Sequence, residues 1–275
     1  MSIYRRILYT SYKIGKKIGY IDRKNSSDNY VSIITFHRVN DYDSSSLTLP
    51  RKIFDELMEE ISKNYKPISL QDLIKKIRDG KELDKKTVVI TFDDGYKDNI
   101  LCAAPILLKY NIPATFFITS GYINTEKVFP WDRQSNVKHP SMTWNEVREL
   151  VSMGFDIGAH TINHANLGMV SLDIARTEIM GCKEQIENEI NKEVNTFAYP
   201  FGGRDNVKGD VIELIRKAGF DCCCSAFGGK VTMDSDLYNL YRIATYPTVI
   251  ETLMEVDNFM TYFDGKMKLN IFNFP

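Results

Sequence analysis

Short apolar runs alternate with amphipathic stretches along most of this 275-residue chain. Val31 to Phe36 (VSIITF), Thr87 to Phe92 (TVVITF) and Ala114 to Thr119 (ATFFIT) are dense in β-branched and aromatic residues, as strands buried on both faces are. Shorter runs of this kind lie at Asp156 to Ala159, Thr196 to Tyr199, Asp221 to Ser225 and Tyr241 to Ala244. Between the runs, apolar spacing predicts helices over 52–63, 70–78, 99–110, 172–190 and 211–218. Ser69 with Asp72, and Thr143 with Glu146, have the spacing of capping boxes, the second opening a helix that ends near Ser152. Residues 120–142 form a long loop. Strands and helices alternating in this way predict parallel strands with helical crossovers. About seven such units predict a barrel, whose active site lies at the carboxyl ends of its strands.

Before the first strand the pattern changes. Residues 1–24 hold seven basic side chains (Arg5, Arg6, Lys13, Lys16, Lys17, Arg23, Lys24) against Asp22 alone, a local charge of +6 on a chain whose remainder carries −7. Ile3, Ile7, Ile14 and Ile18 recur at helical spacing there, with Tyr4, Tyr9 and Tyr12 among them. Two readings stand: a basic amphipathic helix lying on an anionic membrane surface, or a helix packing its isoleucines on the main domain and solvating its lysines. Asn25 to Asn29 (NSSDN) reads as a linker, so the organisation expected is a basic segment and linker over 1–29 and a barrel domain over 30–275.

Composition excludes several classes. A net charge of −1 is not that of a global nucleic-acid binder, and 12% aromatic residues exclude a largely disordered chain. No apolar run is long enough to span a bilayer, and the amino terminus lacks the uninterrupted apolar core and cleavage site of a secretory signal. A cytoplasmic location, or one at the inner membrane surface, is the expectation. Of five cysteines three are consecutive (Cys222, Cys223, Cys224), a spacing that suits buried small residues better than a disulfide or zinc framework.

Only four histidines occur in the chain, and two of them lie in His160-Thr161-Ile162-Asn163-His164, just after a strand. An i, i+4 pair on a helical turn puts both imidazoles on one face, as chelation needs. Thr91-Phe92-Asp93-Asp94-Gly95-Tyr96 places two carboxylates at another strand end, where one can hold a cation while the other accepts a proton. Two neutral imidazoles with one carboxylate suit zinc, or a similar divalent ion such as cobalt, nickel or iron(II). Phe197-Ala198-Tyr199-Pro200-Phe201-Gly202 leaves a third strand with a proline and a glycine, where a backbone N–H can face a developing oxyanion. His139, before Pro140, reads as a surface residue.

TFDDGY, HTINH and FAYPFG, in this order, resemble the first three motifs of the polysaccharide deacetylase family, carbohydrate esterase family 4, and the likeness runs from about residue 31 to residue 245. The resemblance implies a distorted (β/α)7 barrel, the NodB homology domain, that removes acetyl groups from sugars with a divalent metal. It implies Asp93 as general base, Asp94, His160 and His164 as metal ligands, and the Phe201 N–H as an oxyanion donor. Two departures stand out. The third motif usually begins with an arginine that orients the base, and Ala198 occupies that place, leaving Arg204 or Arg242 as substitutes. The histidine of the late motif, which protonates the leaving group, is absent, because no histidine follows His164. His37, at the end of the first strand, answers the second: the pattern is similar to the circularly permuted subgroup typified by poly-N-acetylglucosamine deacetylases, whose acid comes from that strand.

The expected reaction is hydrolysis of the acetamido group of an N-acetylated saccharide, with His37 as acid. Tyr96, Trp131, Trp144, Tyr199, Arg204 and Arg242, with Tyr122, are candidates for sugar contact, since aromatic faces stack on sugar rings. An O-acetyl esterase, a deacylase of a non-sugar amide, or a carbohydrate-binding pseudoenzyme are the competing readings. Membrane contact through residues 1–24 would bring the enzyme to lipid-linked precursors.

Overall fold

A computed structural model describes residues 3–19, 21 and 29–259; the proposed linker falls mostly outside these residues. Strand β1 (Val31–Phe36) is buried at every position and sits between two parallel neighbours. Its next segments are the short β2 (Arg38–Val39) and β3 (Thr48–Leu49), helix α2 (Arg51–Asn64), the two-residue β4 (Lys66–Pro67) and α3 (Leu70–Arg78). The α/β units follow: β5 (Thr87–Phe92), α4 (Ala104–Lys109), β6 (Ala114–Ile118), α5 (Trp144–Ser152), β7 (Asp156–Ala159), α6 (Leu172–Ile190), β8 (Thr196–Ala198), α7 (Gly209–Lys217), β9 (Cys222–Cys224), β10 (Arg242–Ala244) and α8 (Val249–Val256). One further helix, α1 (Ile3–Lys17), precedes them.

The seven principal strands pair in parallel in the order β10-β1-β5-β6-β7-β8-β9. A bridge from Cys224 to Leu240, two residues ahead of β10, brings the ends of the sheet together, so the sheet is nearly closed into a seven-stranded barrel. Side chains alternate between two faces, as a strand requires. Ile34, Phe36, Ile90, Phe92 and Phe116 face the helices, where Phe36, Phe92 and Phe116 stack across three strands at 5.1 and 4.8 Å and Phe54 of α2 meets the first two. Ile33, Val89, Phe117, Ala198, Cys222 and Cys224 form a second cluster with Leu70, Leu73 and Ile74 of α3. The three cysteines thus serve a strand buried on both faces: all five cysteines are free, and desolvation raises the thiols of Cys222 and Cys223 far above the ordinary range.

Thr143 and Glu146 make the full reciprocal capping box, whereas Ser69 accepts the Asp72 N–H and turns its own hydroxyl to that carboxylate. The helix expected over 99–110 opens instead as a π-turn (Asn99–Ala103), with Asn99 buried and its side chain donating to the carbonyl of His37 at 2.7 Å. Helix α1 is seated on the barrel by Leu8 and Tyr12, with the Tyr12 hydroxyl 2.6 Å from Asp257 and Lys16 2.6 Å from the same carboxylate. Tyr65, just ahead of β4, donates to Asp257 as well, and Ser32 at the start of β1 donates to the carbonyl of Val256. Helix α1 therefore stands at the amino-terminal end of the strands. Among the described residues no helix is long and apolar enough to cross a membrane.

Phe92 has no exposed surface and touches rings on β1, β6 and α2. Phe92→Ala is expected to cost about 3–5 kcal/mol of stability, read from the urea midpoint at constant slope; a loss under about 1 kcal/mol would show that the ring ladder does not anchor the barrel.

Candidate active site

Chemistry gathers at the carboxyl end of the barrel. Asp93 leaves β5 with its backbone N–H on the carbonyl of Phe36 at 2.9 Å, which ties it to the end of β1. Asp94 then takes a left-handed φ of 76° and Gly95 one of 83°. A Cβ at Gly95 would come within 3.0 Å of Ile123. This turn separates the two adjacent carboxylates: Asp93 reaches Arg242, while Asp94 meets the histidines.

Arg242, at the head of β10, is 1% exposed and grips Asp93 in a bidentate pair, with Nη1 and Nη2 each 2.7 Å from a carboxylate oxygen. Its Nε donates to the carbonyl of Ser225 at 3.0 Å, Nη1 lies 3.3 Å from the Thr91 hydroxyl, and the guanidinium sits over the Phe117 ring. Burial alone would push the Asp93 carboxyl up, but the Arg242 charge holds it well below the usual carboxylate range. Arg242 is thus the arginine that compensates for Ala198. Its guanidinium is engaged by the carboxylate, Ser225 and Thr91, and it also lines the cavity described below. Arg204 does not reach Asp93; it is exposed, with its guanidinium over the Phe227 ring at 5.3 Å.

His160 and His164 converge, but not on a helical turn. Thr161 and His164 have φ values of 63° and 54°, so the segment is a loop that curls back on itself. The two rings lie 4.9 Å apart between centroids. His160 Nδ1 donates to the carbonyl of Ala198 at 2.8 Å, which leaves Nε2 as the free lone pair, and burial pushes its pKa down to about 4. Nε2 of His160 and of His164 lie 3.6 and 3.3 Å from Asp94 Oδ1. One ligand atom from each of Asp94, His160 and His164 falls within 4.8 Å of the others. Both Asp94 oxygens and His164 Nδ1 are buried without a hydrogen-bond partner. A buried carboxylate with unsatisfied oxygens, facing imidazole lone pairs, is costly unless a cation completes it, so these three residues fit a divalent ion.

The three surround a cavity of about 240 Å³ that His37, Asp93, Trp131, Tyr199, Phe201 and Leu47 also line. Phe201 has a φ of 62° and an exposed ring whose edge meets His164 at 4.8 Å; Trp131 approaches His164 at the same separation. Tyr199 is 1% exposed and anchors its hydroxyl on the carbonyl of Tyr238.

Other expected contacts move elsewhere. Tyr96 is buried behind the wall, donating to Asp132 at 2.6 Å and accepting from Trp131 Nε1 at 2.9 Å. Tyr122 stacks on Phe129 at 4.0 Å, and Trp144 packs against the helix-side core after its cap. His139 is corrected too: it is 5% exposed, beside Asp43 and stacked on Tyr42.

Arg38 has no signal in sequence beyond its place after His37. Its buried guanidinium reaches Asp132 at 2.5 Å, Ser45 at 2.5 Å, Thr48 at 3.0 Å and Asp43 at 3.2 Å, with the Tyr96 ring 5.0 Å away. It therefore joins the loop that carries Leu47 to the loop that carries Trp131, the two walls of the cavity.

Comparison with known proteins agrees with this geometry. A family profile described as polysaccharide deacetylase matches residues 80–223, just over half of the chain. A Bacillus subtilis (strain 168) protein named as a polysaccharide deacetylase, YxkH, is 26% identical over 216 residues, covering 78% of this chain and 71% of that protein. The poly-beta-1,6-N-acetyl-D-glucosamine N-deacetylase of Escherichia coli (strain K12) is 24% identical over 254 residues, covering 79% of this chain but only 36% of that protein. The solved structure of the Streptococcus pyogenes deacetylase PplD in complex with acetate shares the fold, with a TM-score of 0.71 at 22% identity, over 82% of this chain and 97% of that one. A profile match across more than half of the sequence, spanning the acid pair and the histidine pair that meet at the barrel mouth, makes this chain a member of the polysaccharide deacetylase family.

Proposed function

We propose that this chain is a divalent-metal-dependent de-N-acetylase that hydrolyses the acetamido group of N-acetylglucosamine units in a glycan or glycan precursor. One observation carries the reading: in a single cavity, Asp93 is held ionised by Arg242 while Asp94, both of whose oxygens lack a hydrogen-bond partner, presents Oδ1 to two imidazoles. The names of the relatives support the substrate class, although the chain spans about a third of the E. coli protein's length.

Asp94, His160 and His164 would hold the ion, with zinc the first expectation from two imidazoles and one carboxylate. When bound, the ion supplies a water of lowered pKa and polarises the acetyl carbonyl. The remaining work belongs to the chain. Asp93, ionised and fixed by two hydrogen bonds, accepts the proton of the attacking water. The Phe201 N–H donates to the oxygen that gains charge. His37, on the same cavity, gives a proton to the sugar nitrogen, because an amine leaves poorly unless protonated. Trp131 and the exposed Phe201 ring offer apolar faces to the sugar. With Arg242 compensating for Ala198, the ground for a pseudoenzyme reading weakens. An O-acetyl ester would need the acid less than an amide.

Asp93→Asn should reduce acetate release by about 10²–10⁴-fold while bound metal, measured by elemental analysis of the purified protein, stays stoichiometric. Activity near wild type in that variant would sink the base assignment. Arg242→Lys keeps the charge and loses the fork, so kcat should fall about 10–100-fold with little change in KM. A rise in KM alone would instead return Arg242 to the substrate contacts. His37→Ala should depress hydrolysis of an N-acetyl substrate far more than that of an activated O-acetyl ester, and equal losses on both would argue against proton donation to nitrogen.

A further inference from the structure

The structure shows which side chains of the basic amino-terminal helix are seated on the barrel and which are left exposed. Its barrel-facing side is formed by Leu8 and Tyr12, 5% and 4% exposed, with Gly15 closing on Ile21. Ile7, Ile14 and Ile18 are 58%, 55% and 59% exposed. At about 100° per residue these three fall on one stripe, roughly a quarter-turn round the helix from the seated side. Lys13 and Lys17 are exposed on the far side of that stripe, whereas Lys16 turns inward to Asp257.

We propose that this outer side of α1 docks the protein on an anionic phospholipid surface. Three branched apolar side chains bordered by exposed lysines match what an interfacial helix presents to headgroups and acyl chains. Charge argues for the same occupant. Residues 1–24 carry +6 and the remainder −7, so an anionic surface attracts α1 and repels the barrel. A second copy of the chain meeting this stripe face to face would bring like charges together. The position of α1 at the amino-terminal end of the strands then turns the cavity, at the carboxyl end, away from the surface. This inference does not rest on the deacetylase reading, because its readout is binding.

The full-length chain should sediment with mixed phosphatidylglycerol–phosphatidylcholine vesicles, less with pure phosphatidylcholine vesicles, and should be released by salt. Ile7→Ser/Ile14→Ser/Ile18→Ser should lower the partition coefficient by at least about tenfold, since each buried methylene contributes to anchoring. Lys13→Gln/Lys17→Gln should lower it by about tenfold, on anionic vesicles only. Because all five positions are exposed, thermal melting followed by circular dichroism should be unchanged in both variants. Absence of vesicle binding by the wild-type chain would overturn the proposal, as would equal binding to neutral vesicles. So would a lipid-free dimer in analytical ultracentrifugation that the triple-serine variant dissolves, for then a second copy covers the stripe.

Discussion

The guanidinium of Arg242 and the carboxylate of Asp93 meet inside the barrel, above the face of Phe117 and almost out of contact with water. Two desolvated charges are expensive, and only close bidentate geometry with further hydrogen bonds offsets the cost. Here the guanidinium also bonds Ser225 and Thr91, and Asp93 is fixed through its backbone to Phe36. The pair thereby couples β10, β5 and β1, three strands adjacent in the sheet, at the level where the cavity begins. The precision of the mouth depends on it: a carboxylate free to turn would face the same imidazoles as its neighbour Asp94. Because the arginine arrives from β10, position 198 on β8 is released from any charged duty, and its backbone carbonyl holds His160.

Around that pair the cavity is walled by two loops, and Arg38 is what they share. With four partners in the loops of residues 40–49 and 120–142 and the Tyr96 ring beside it, its side chain cannot move without disturbing both walls. Trp131 is fixed from behind by Tyr96, which is itself bound to Asp132, so the indole beside His164 is preorganised by a chain of two hydrogen bonds, the inner one buried. Such support reduces the ordering that ligand binding would otherwise require.

The barrel is legible in the amino-acid sequence because its strands are buried on both faces, and VSIITF and TVVITF announce that without an alternating pattern. Asp93, Asp94, His160 and His164 are legible because each pair is local. Conformation is less so: four-residue spacing suggests a helical turn at His160–His164, whereas left-handed backbone at Thr161 and His164 brings the rings together in a loop. Contacts distant in sequence leave no local trace. Arg242 and Asp93 are 149 residues apart, and Arg38 and Asp132 are 94 apart. Nothing in the chain separates Trp131, which lines the cavity, from Trp144, which packs on the core, or marks His139 as buried.

The placement of α1 has a consequence for reach. Asp257, Tyr65 and the start of β1 lie at one pole of the barrel and the cavity at the other, separated by strands of six residues, or about 20 Å. A protein standing on its α1 pole would hold its cavity at that height above whatever it stands on. A sugar attached directly to the same surface would lie too low to enter, while a saccharide long enough to rise past the barrel wall could fold over into the mouth. Docked in that way, the protein would meet glycans by their length before any residue at the mouth met the sugar.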